Sequence, residues 1–353
     1  MIQYLYAAIF AFVATVVLVK LAIKYFPKFG LLDRPEKYGL HRKPIPYYGG
    51  IVLVVVFFLS VLLFVPVDTH VLAMVFAAML IAGVSFADDM FGLSPFLRLG
   101  VQVVAALILV VAGIGINSIS NPFGAPIILD AQTFTLDFGG GAVLSISFLV
   151  ALFTIVWVVW IVNTMNWIDG LNGLPSGVSA IAGLTIFFLS IRPGIHYDAS
   201  NQISVATMSI VLFSSAAAFA FFDFFPAKIL MGDTGSMFLG FVLAVLAIFS
   251  GGKVTTAFLV LGFPILDAVW VIARRIVQGK SPVKGDLKHL HHRLIAMGLS
   301  ERKAVLLMYG LSAIFGLSAI FLDTQGKVFA LAALFLAMVI LGAYAVVLGK
   351  EKR

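Results

Sequence analysis

His70-Val71-Leu72-Ala73-Met74-Val75-Phe76-Ala77-Ala78-Met79-Leu80-Ile81-Ala82-Gly83-Val84-Ser85-Phe86-Ala87 contains no Lys, Arg, Asp or Glu, and it ends on Asp88-Asp89. A helix needs roughly 20 apolar residues to cross a bilayer, so the run predicts a membrane span with two carboxylates at its mouth. Working outward, comparable runs lie near 2–25, 50–65, 98–116, 147–162, 177–191, 203–222, 236–250, 255–273, 304–322 and 327–348. Together they predict about eleven transmembrane helices. The 353 residues are 62% hydrophobic and 11% charged, with a mean hydropathy of +1.12. A soluble domain of that size needs more polar residues to cover its surface. The expected fold is therefore an all-α polytopic membrane protein, with 1–353 as one integral-membrane domain. Segment 2–25 lacks a basic leader and is too long for a cleaved signal, so it reads as the first span. With no cysteine, disulfides and thiolate metal sites are excluded.

Loop charge sets the orientation. Arg34, Arg42, Lys43, Arg98, Lys228, Arg274, Arg275, Arg293, Arg302 and Lys303 fall on one side, whereas Arg192, Lys253 and Lys327 fall on the other. The positive-inside rule makes the first side cytoplasmic. An odd number of spans then places the N-terminus outside and the C-terminus inside. The net charge of +7 sits in short loops beside helices, which fits orientation and anionic ligands rather than nucleic acid. The longest outer loop, 117–146, carries Asn-Pro and Gly-Ala-Pro turns and partial alternation over 127–137, the pattern of a small hairpin without chemistry.

The acids on the cytoplasmic side lie near helix ends, where an ionised group is less costly than at membrane depth. Asp88 and Asp89 repel one another and sit at a helix C-terminus, against its dipole, so a cation is the natural partner for the pair. In Asn163-Thr164-Met165-Asn166-Trp167-Ile168-Asp169-Gly170-Leu171-Asn172-Gly173 a polar group recurs every third residue. On a helix these groups form one slowly rotating stripe, either a ligand surface or a hydrogen-bonded seam between helices. Met231-Gly232-Asp233-Thr234-Gly235-Ser236 reads as a glycine-rich turn in which Ser236 caps the next helix, leaves N–H groups for phosphate, and Asp233 offers a hard oxygen ligand for magnesium. In Asp286-Leu287-Lys288-His289-Leu290-His291-His292-Arg293, three histidines and two cations are suited to phosphate oxygens or sugar hydroxyls, with zinc the weaker alternative. His41-Arg42-Lys43-Pro44-Ile45-Pro46-Tyr47-Tyr48-Gly49-Gly50 combines cations for a diphosphate with aromatics able to stack on a base. Acids for a divalent cation and cations for phosphates, beside a membrane, suit magnesium-assisted phosphoryl transfer from a soluble donor to a lipid acceptor. A transporter is the competing class, but it places its site near the midplane and often shows paired halves, and no internal repeat is visible.

These motifs, in this order and on one side, resemble the polyprenyl-phosphate N-acetylhexosamine-1-phosphate transferases of the glycosyltransferase 4 family, over nearly the whole chain. The resemblance implies a magnesium-dependent enzyme (manganese substituting) of a bacterial inner membrane, with its active site at the cytoplasmic face. It would transfer a sugar-1-phosphate from a UDP-sugar to undecaprenyl phosphate and release UMP. It implies that Asp233 is a magnesium ligand and that Asp88 and Asp89 bind magnesium or activate the lipid phosphate. Asn166 and Asp169 would line the nucleotide and metal site, with Asn163, Asn172, Ser236 and Lys43 contacting substrate. His289, His291, His292 and Arg293 would engage phosphate or sugar, and Arg274 and Arg275 the diphosphate. A homodimer is a family-level expectation. His-Leu-His-His-Arg resembles the N-acetylglucosamine branch rather than the branch transferring phospho-N-acetylmuramoyl-pentapeptide. Asn172 stands where the family motif usually has a second acid, keeping an acceptor but losing a charge, and Leu287 stands where a basic residue is common. Both departures bear on the donor sugar rather than on the reaction.

Overall fold

The computed structural model describes residues 2–38, 42–119, 121, 123–137, 143–192, 199–250, 254–279 and 289–351. His41, Asp286, Leu287 and Lys288 of the motifs above lie outside the described residues. Thirteen α-helices are described: α1 (Ile2–Tyr25), α2 (Gly50–Phe64), α3 (Thr69–Phe91), α4 (Pro95–Val111), α5 (Phe148–Trp167), α6 (Leu174–Ser190), α7 (Ala199–Asp223), α8 (Gly232–Phe249), α9 (Val254–Val260), α10 (Gly262–Val277), α11 (Leu290–Ala296), α12 (Glu301–Phe321) and α13 (Thr324–Glu351). Among the described residues six helices are long and apolar enough to cross a membrane: the α1 segment, α3, α5, most of α7, α8 and α12. The protein is a multi-pass membrane protein.

The bundle is organised around α8. Every residue from Thr234 to Ile248 is buried, and a helix apolar on all sides belongs inside a bundle. Helices α2, α3, α5, α6 and α7 pack against it, α1 lies outside α7 and α2, and α12 lies against α6 and α9. Outer faces carry Leu5, Ile9, Leu62, Leu72, Phe76 and Phe321, all well exposed, a surface that hydrocarbon rather than water would cover.

Four expectations are corrected. The run 255–273 is two helices, because α9 stops at Val260 and α10 restarts at Gly262. Gly262 lies so close to the Phe315 ring of α12 that a Cβ would overlap it, and Pro264 supplies no N–H to a continuous ladder. The polar stripe is helical only to Trp167, and its second half is a turn that leads into α6 through Gly173 at φ 84°. Helix α8 starts at Gly232, so Ser236 lies inside it and donates to the Gly232 carbonyl at 3.3 Å rather than capping it. The outer loop holds two antiparallel ribbons instead of one hairpin, β1 (Ser118–Ile119) with β2 (Ile127–Ile128) and β3 (Phe134–Asp137) with β4 (Val143–Ile146).

Candidate active site

The chemistry collects where α3, α5, α7 and α10 end and α4, α6, α8 and α11 begin. Helix α3 continues through Asp88 and Asp89 to Phe91 and closes on Gly92 at φ 67°. Adjacent helical residues point about 100° apart, so the two carboxylates serve different partners. Asp88 Oδ1 accepts the Leu93 N–H at 2.7 Å, and its Oδ2 accepts from Arg98 at 2.6 Å. The same Arg98 nitrogen donates to Asp233 Oδ2 at 3.0 Å, 135 residues further along the chain, so one guanidinium joins the two acids. Ser94 caps α4 through the Leu97 N–H at 3.2 Å and sets the helical turn that carries Arg98.

Asp89 turns the other way and caps α8 from outside that helix. Its Oδ1 accepts the Asp233 N–H at 3.0 Å and the Tyr47 hydroxyl at 3.0 Å. Its Oδ2 accepts the Thr234 N–H at 2.9 Å and the Thr234 hydroxyl at 2.6 Å. A carboxylate offers about four acceptor directions, and these four donors fill them. In this arrangement the Asp89 oxygens hold the positive end of α8, where a negative charge is most stabilising. Replacing Asp89 by Asn swaps an acceptor for an N–H pair facing N–H groups, and we expect a loss of about 2 kcal/mol of stability. Thermal unfolding of Asp89→Asn beside Asp88→Asn checks this, and an unchanged midpoint for Asp89→Asn would refute the cap.

The loop before α2 is fastened to the same place. Gly49 N–H donates to the Leu230 carbonyl and Gly50 N–H to the Met231 carbonyl, each at 2.8 Å, and Leu230 N–H donates to Pro46 at 2.9 Å. Tyr47 thereby reaches Asp89. Burial, with the carboxylates of Asp89, Asp233 and Asp169, pushes its phenol well up, so it stays a donor. The Tyr47 ring packs edge-on against Tyr48, centroids 4.8 Å apart, which gives these aromatics a structural use. Lys43 is exposed on this loop, and no contact places it among the acids.

The stripe splits in function. Asn163 donates to Gln102 of α4 at 2.6 Å and to the Val159 carbonyl at 2.7 Å, so its N–H groups form a seam between α4 and α5. Asn166, one turn on, donates to Ser236 at 3.1 Å and therefore stands beside the first turn of α8. Burial, together with the carboxylates of Asp223, Asp233 and Asp89, raises the Asp169 carboxyl well above the ordinary range. The Asn172 N–H donates to Glu301 at 3.1 Å, and Tyr309 donates to the Gly173 carbonyl, so α12 holds the turn. Asp223, at the end of α7, accepts from Ser176 in the first turn of α6 at 3.0 Å.

The histidine segment lies against this turn. His291 is fully buried on Gly170, where a Cβ would approach its Nε2 to 2.5 Å. Burial and the neighbouring His292 and His289 lower its pKa to about 3, so it is neutral at physiological pH. Both of its ring nitrogens are buried without a hydrogen-bond partner. The His289 and His291 rings stack, 5.7 Å apart and 5° from parallel, and His292 lies 4.1 Å beyond. On the other side His289 meets Trp167 at 6.3 Å. Arg293 sits over Trp270 at 5.8 Å, while Arg274 and Arg275 occupy the last turn of α10.

Two groups that sequence reading passed over are central here. Arg98 looked like one more orienting charge, because nothing local shows that it lies between two acids. Asp267 looked like a lone acid within a span, yet it is 1% exposed and bonded to His289 and to the Leu290 N–H.

No three acidic or histidine side chains among the described residues form a ready metal cluster. The donor set nevertheless fits magnesium. That ion is commonly held by one or two carboxylates with water and substrate phosphates completing its shell, rather than by an all-protein cage. Asp233, 30% exposed, and Asp88 are the pair brought together through Arg98.

An apolar bundle with carboxylates, a guanidinium and histidines gathered at one end has the make-up of an integral-membrane enzyme. The model of "Glycosyl transferase family 4" matches residues 71–251, which include the acid pair, the stripe and α8. The chain is 30% identical to "Probable undecaprenyl-phosphate N-acetylglucosaminyl 1-phosphate transferase" of Bacillus subtilis, over 99% of this chain and 93% of the relative. It is 30% identical to "Decaprenyl-phosphate N-acetylglucosaminephosphotransferase" of Mycolicibacterium smegmatis, over 90% and 81%. It is 32% identical to "Undecaprenyl-phosphate alpha-N-acetylglucosaminyl 1-phosphate transferase" of Haemophilus influenzae, over 81% and 77%. The chain belongs to glycosyl transferase family 4 and is a phospho-sugar transferase.

Proposed function

We propose that this enzyme transfers N-acetylglucosamine-1-phosphate from UDP-N-acetylglucosamine to undecaprenyl phosphate, giving undecaprenyl-diphospho-N-acetylglucosamine and UMP. The observation that carries the reading is Arg98 bridging Asp88 and Asp233 beside Asn166, next to a buried histidine stack. Carboxylates, a guanidinium and imidazoles gathered at one end of an apolar bundle suit an anionic donor with its cation and a lipid phosphate. The names of the relatives favour N-acetylglucosamine over another hexosamine or a muramoyl-pentapeptide donor.

The bond from the donor's β-phosphorus to the bridging oxygen breaks, UMP leaves with the bonding electrons, and that phosphorus becomes bonded to an oxygen of the acceptor phosphate, either directly or after first being held on a carboxylate of the site that the acceptor then displaces. Magnesium, or manganese in its place, held by Asp233 with Asp88 would neutralise phosphate charge. Arg98 exchanges its grip on a carboxylate for one on a phosphate oxygen as substrate enters. His289, His291 and His292, with Arg274, Arg275 and Arg293, lie on the side where the donor's sugar and diphosphate would rest. The site faces the cytoplasm of a bacterial inner membrane, with about eleven spans bringing the C-terminus to the same side. The lipid acceptor approaches laterally from the bilayer.

Purified protein given magnesium, UDP-N-acetylglucosamine and undecaprenyl phosphate should release UMP, and chelation should stop it. Substrate flux into proteoliposomes without UMP release would favour a carrier and overturn the reading.

A further inference from the structure

We infer that Asp267 is a positioning residue: it fixes the proton of His289 on Nδ1 and so presents Nε2 of that ring to the substrates. The inference rests on the transfer reaction for its activity readout, but its geometry stands by itself. Asp267 Oδ2 lies 2.8 Å from His289 Nδ1, and Asp267 Oδ1 accepts the Leu290 N–H at 2.8 Å. An ionised carboxylate only accepts hydrogen bonds, so the facing Nδ1 must carry a proton. The ring plane is set as well, between Trp167 at 6.3 Å and the parallel His291 at 5.7 Å. A cap on α11 needs only the Oδ1 bond. The second bond, at the other oxygen, adds nothing to the cap and determines which imidazole nitrogen remains for a ligand. Partners of this kind orient an imidazole in metal and hydrolase sites alike.

The break between α9 and α10 makes the placement possible. Helix α10 restarts at Gly262 against Phe315, and Asp267 lies five residues into it, level with the start of α11. A buried acid at that depth is costly unless paired, and His289 with Leu290 pairs both oxygens.

The test compares wild-type protein with Asp267→Asn. The amide keeps an oxygen for the Leu290 N–H while its NH2 faces Nδ1, so the proton of His289 must move to Nε2. Protein labelled with nitrogen-15 in its six histidines, with His289→Gln used only to assign the signal, should show a protonated Nδ1 in the wild type and an unprotonated one in the variant. In the UMP-release assay kcat should fall on the order of 10–100-fold, the usual cost of losing a group that orients a histidine, with KM for the UDP-sugar within a few-fold, because the cap and the pocket persist. An unprotonated Nδ1 in the wild type overturns the proposal even if the variant does not fold. A folded variant with wild-type kcat overturns it too. If the wild type releases no UMP while Nδ1 is protonated, the reaction is wrong and the positioning stands.

Discussion

Asp233→Asn should lower magnesium-dependent UMP release by about 10³-fold or more, as expected when a charge-stabilising group is removed from a reacting phosphate. The substitution preserves side-chain volume. It also leaves the backbone N–H of residue 233 on Asp89 and leaves Arg98 bonded to Asp88, so the first turn of α8 has every reason to stay formed. What it removes is one formal charge at a position that is 30% exposed. If Asp233 helps to hold the cation, the residual rate should rise with magnesium at concentrations that already saturate the wild type. UMP release at graded magnesium, beside an unfolding curve, separates these effects. Full activity in Asp233→Ala would remove the metal assignment.

Gly50→Ala should be among the most destabilising single-methyl additions in the chain. The Cα of Gly50 lies so near Gly235 that a Cβ would overlap the Gly235 backbone N and Cα, and no side-chain rotation can relieve that. The same loop is pinned by the Gly49 and Gly50 hydrogen bonds to Leu230 and Met231. Helix α2 must therefore move away from α8, at about 3 kcal/mol, and the first turn of α8 is disturbed with it. We expect a lowered melting temperature and a loss of UMP release that added magnesium does not restore, which distinguishes this variant from Asp233→Asn. A protein with wild-type melting would mean that the two helices do not approach so closely.

The bundle was legible because burial in lipid demands long apolar runs, and segments such as 70–87 announce themselves. The break inside 255–273 was not, since Val260, Leu261, Gly262 and Phe263 keep the run apolar throughout; only Gly262 and Pro264 hinted at it. The inventory of the site was legible as well, because carboxylates, amides and histidines are conspicuous in so apolar a chain. Their division of labour was hidden. Asp88 and Asp89 are chemically identical neighbours, and helical rotation alone sends one toward Arg98 and the other to the start of α8. Asn163 and Asn166 lie on the same face a turn apart, yet Gln102 claims the first and Ser236 meets the second. Asp267 depended on a partner 22 residues away whose approach is set by a helix break.

Asp89 receives its α8 donors from residues 144 and 145 positions further along the chain. At the usual pace of synthesis that interval lasts roughly 7–30 s, during which α3 has left the ribosome and α8 does not yet exist. Asp88 is better placed, for Arg98 follows it by only 10 residues and can neutralise it almost at once. The acid pair thus matures in two stages, one ion pair closing early within a hairpin of helices and one cap closing late. For that interval Asp89 must remain at the water boundary, and the arrival of α8 is the event that draws the front half of the bundle shut around its centre.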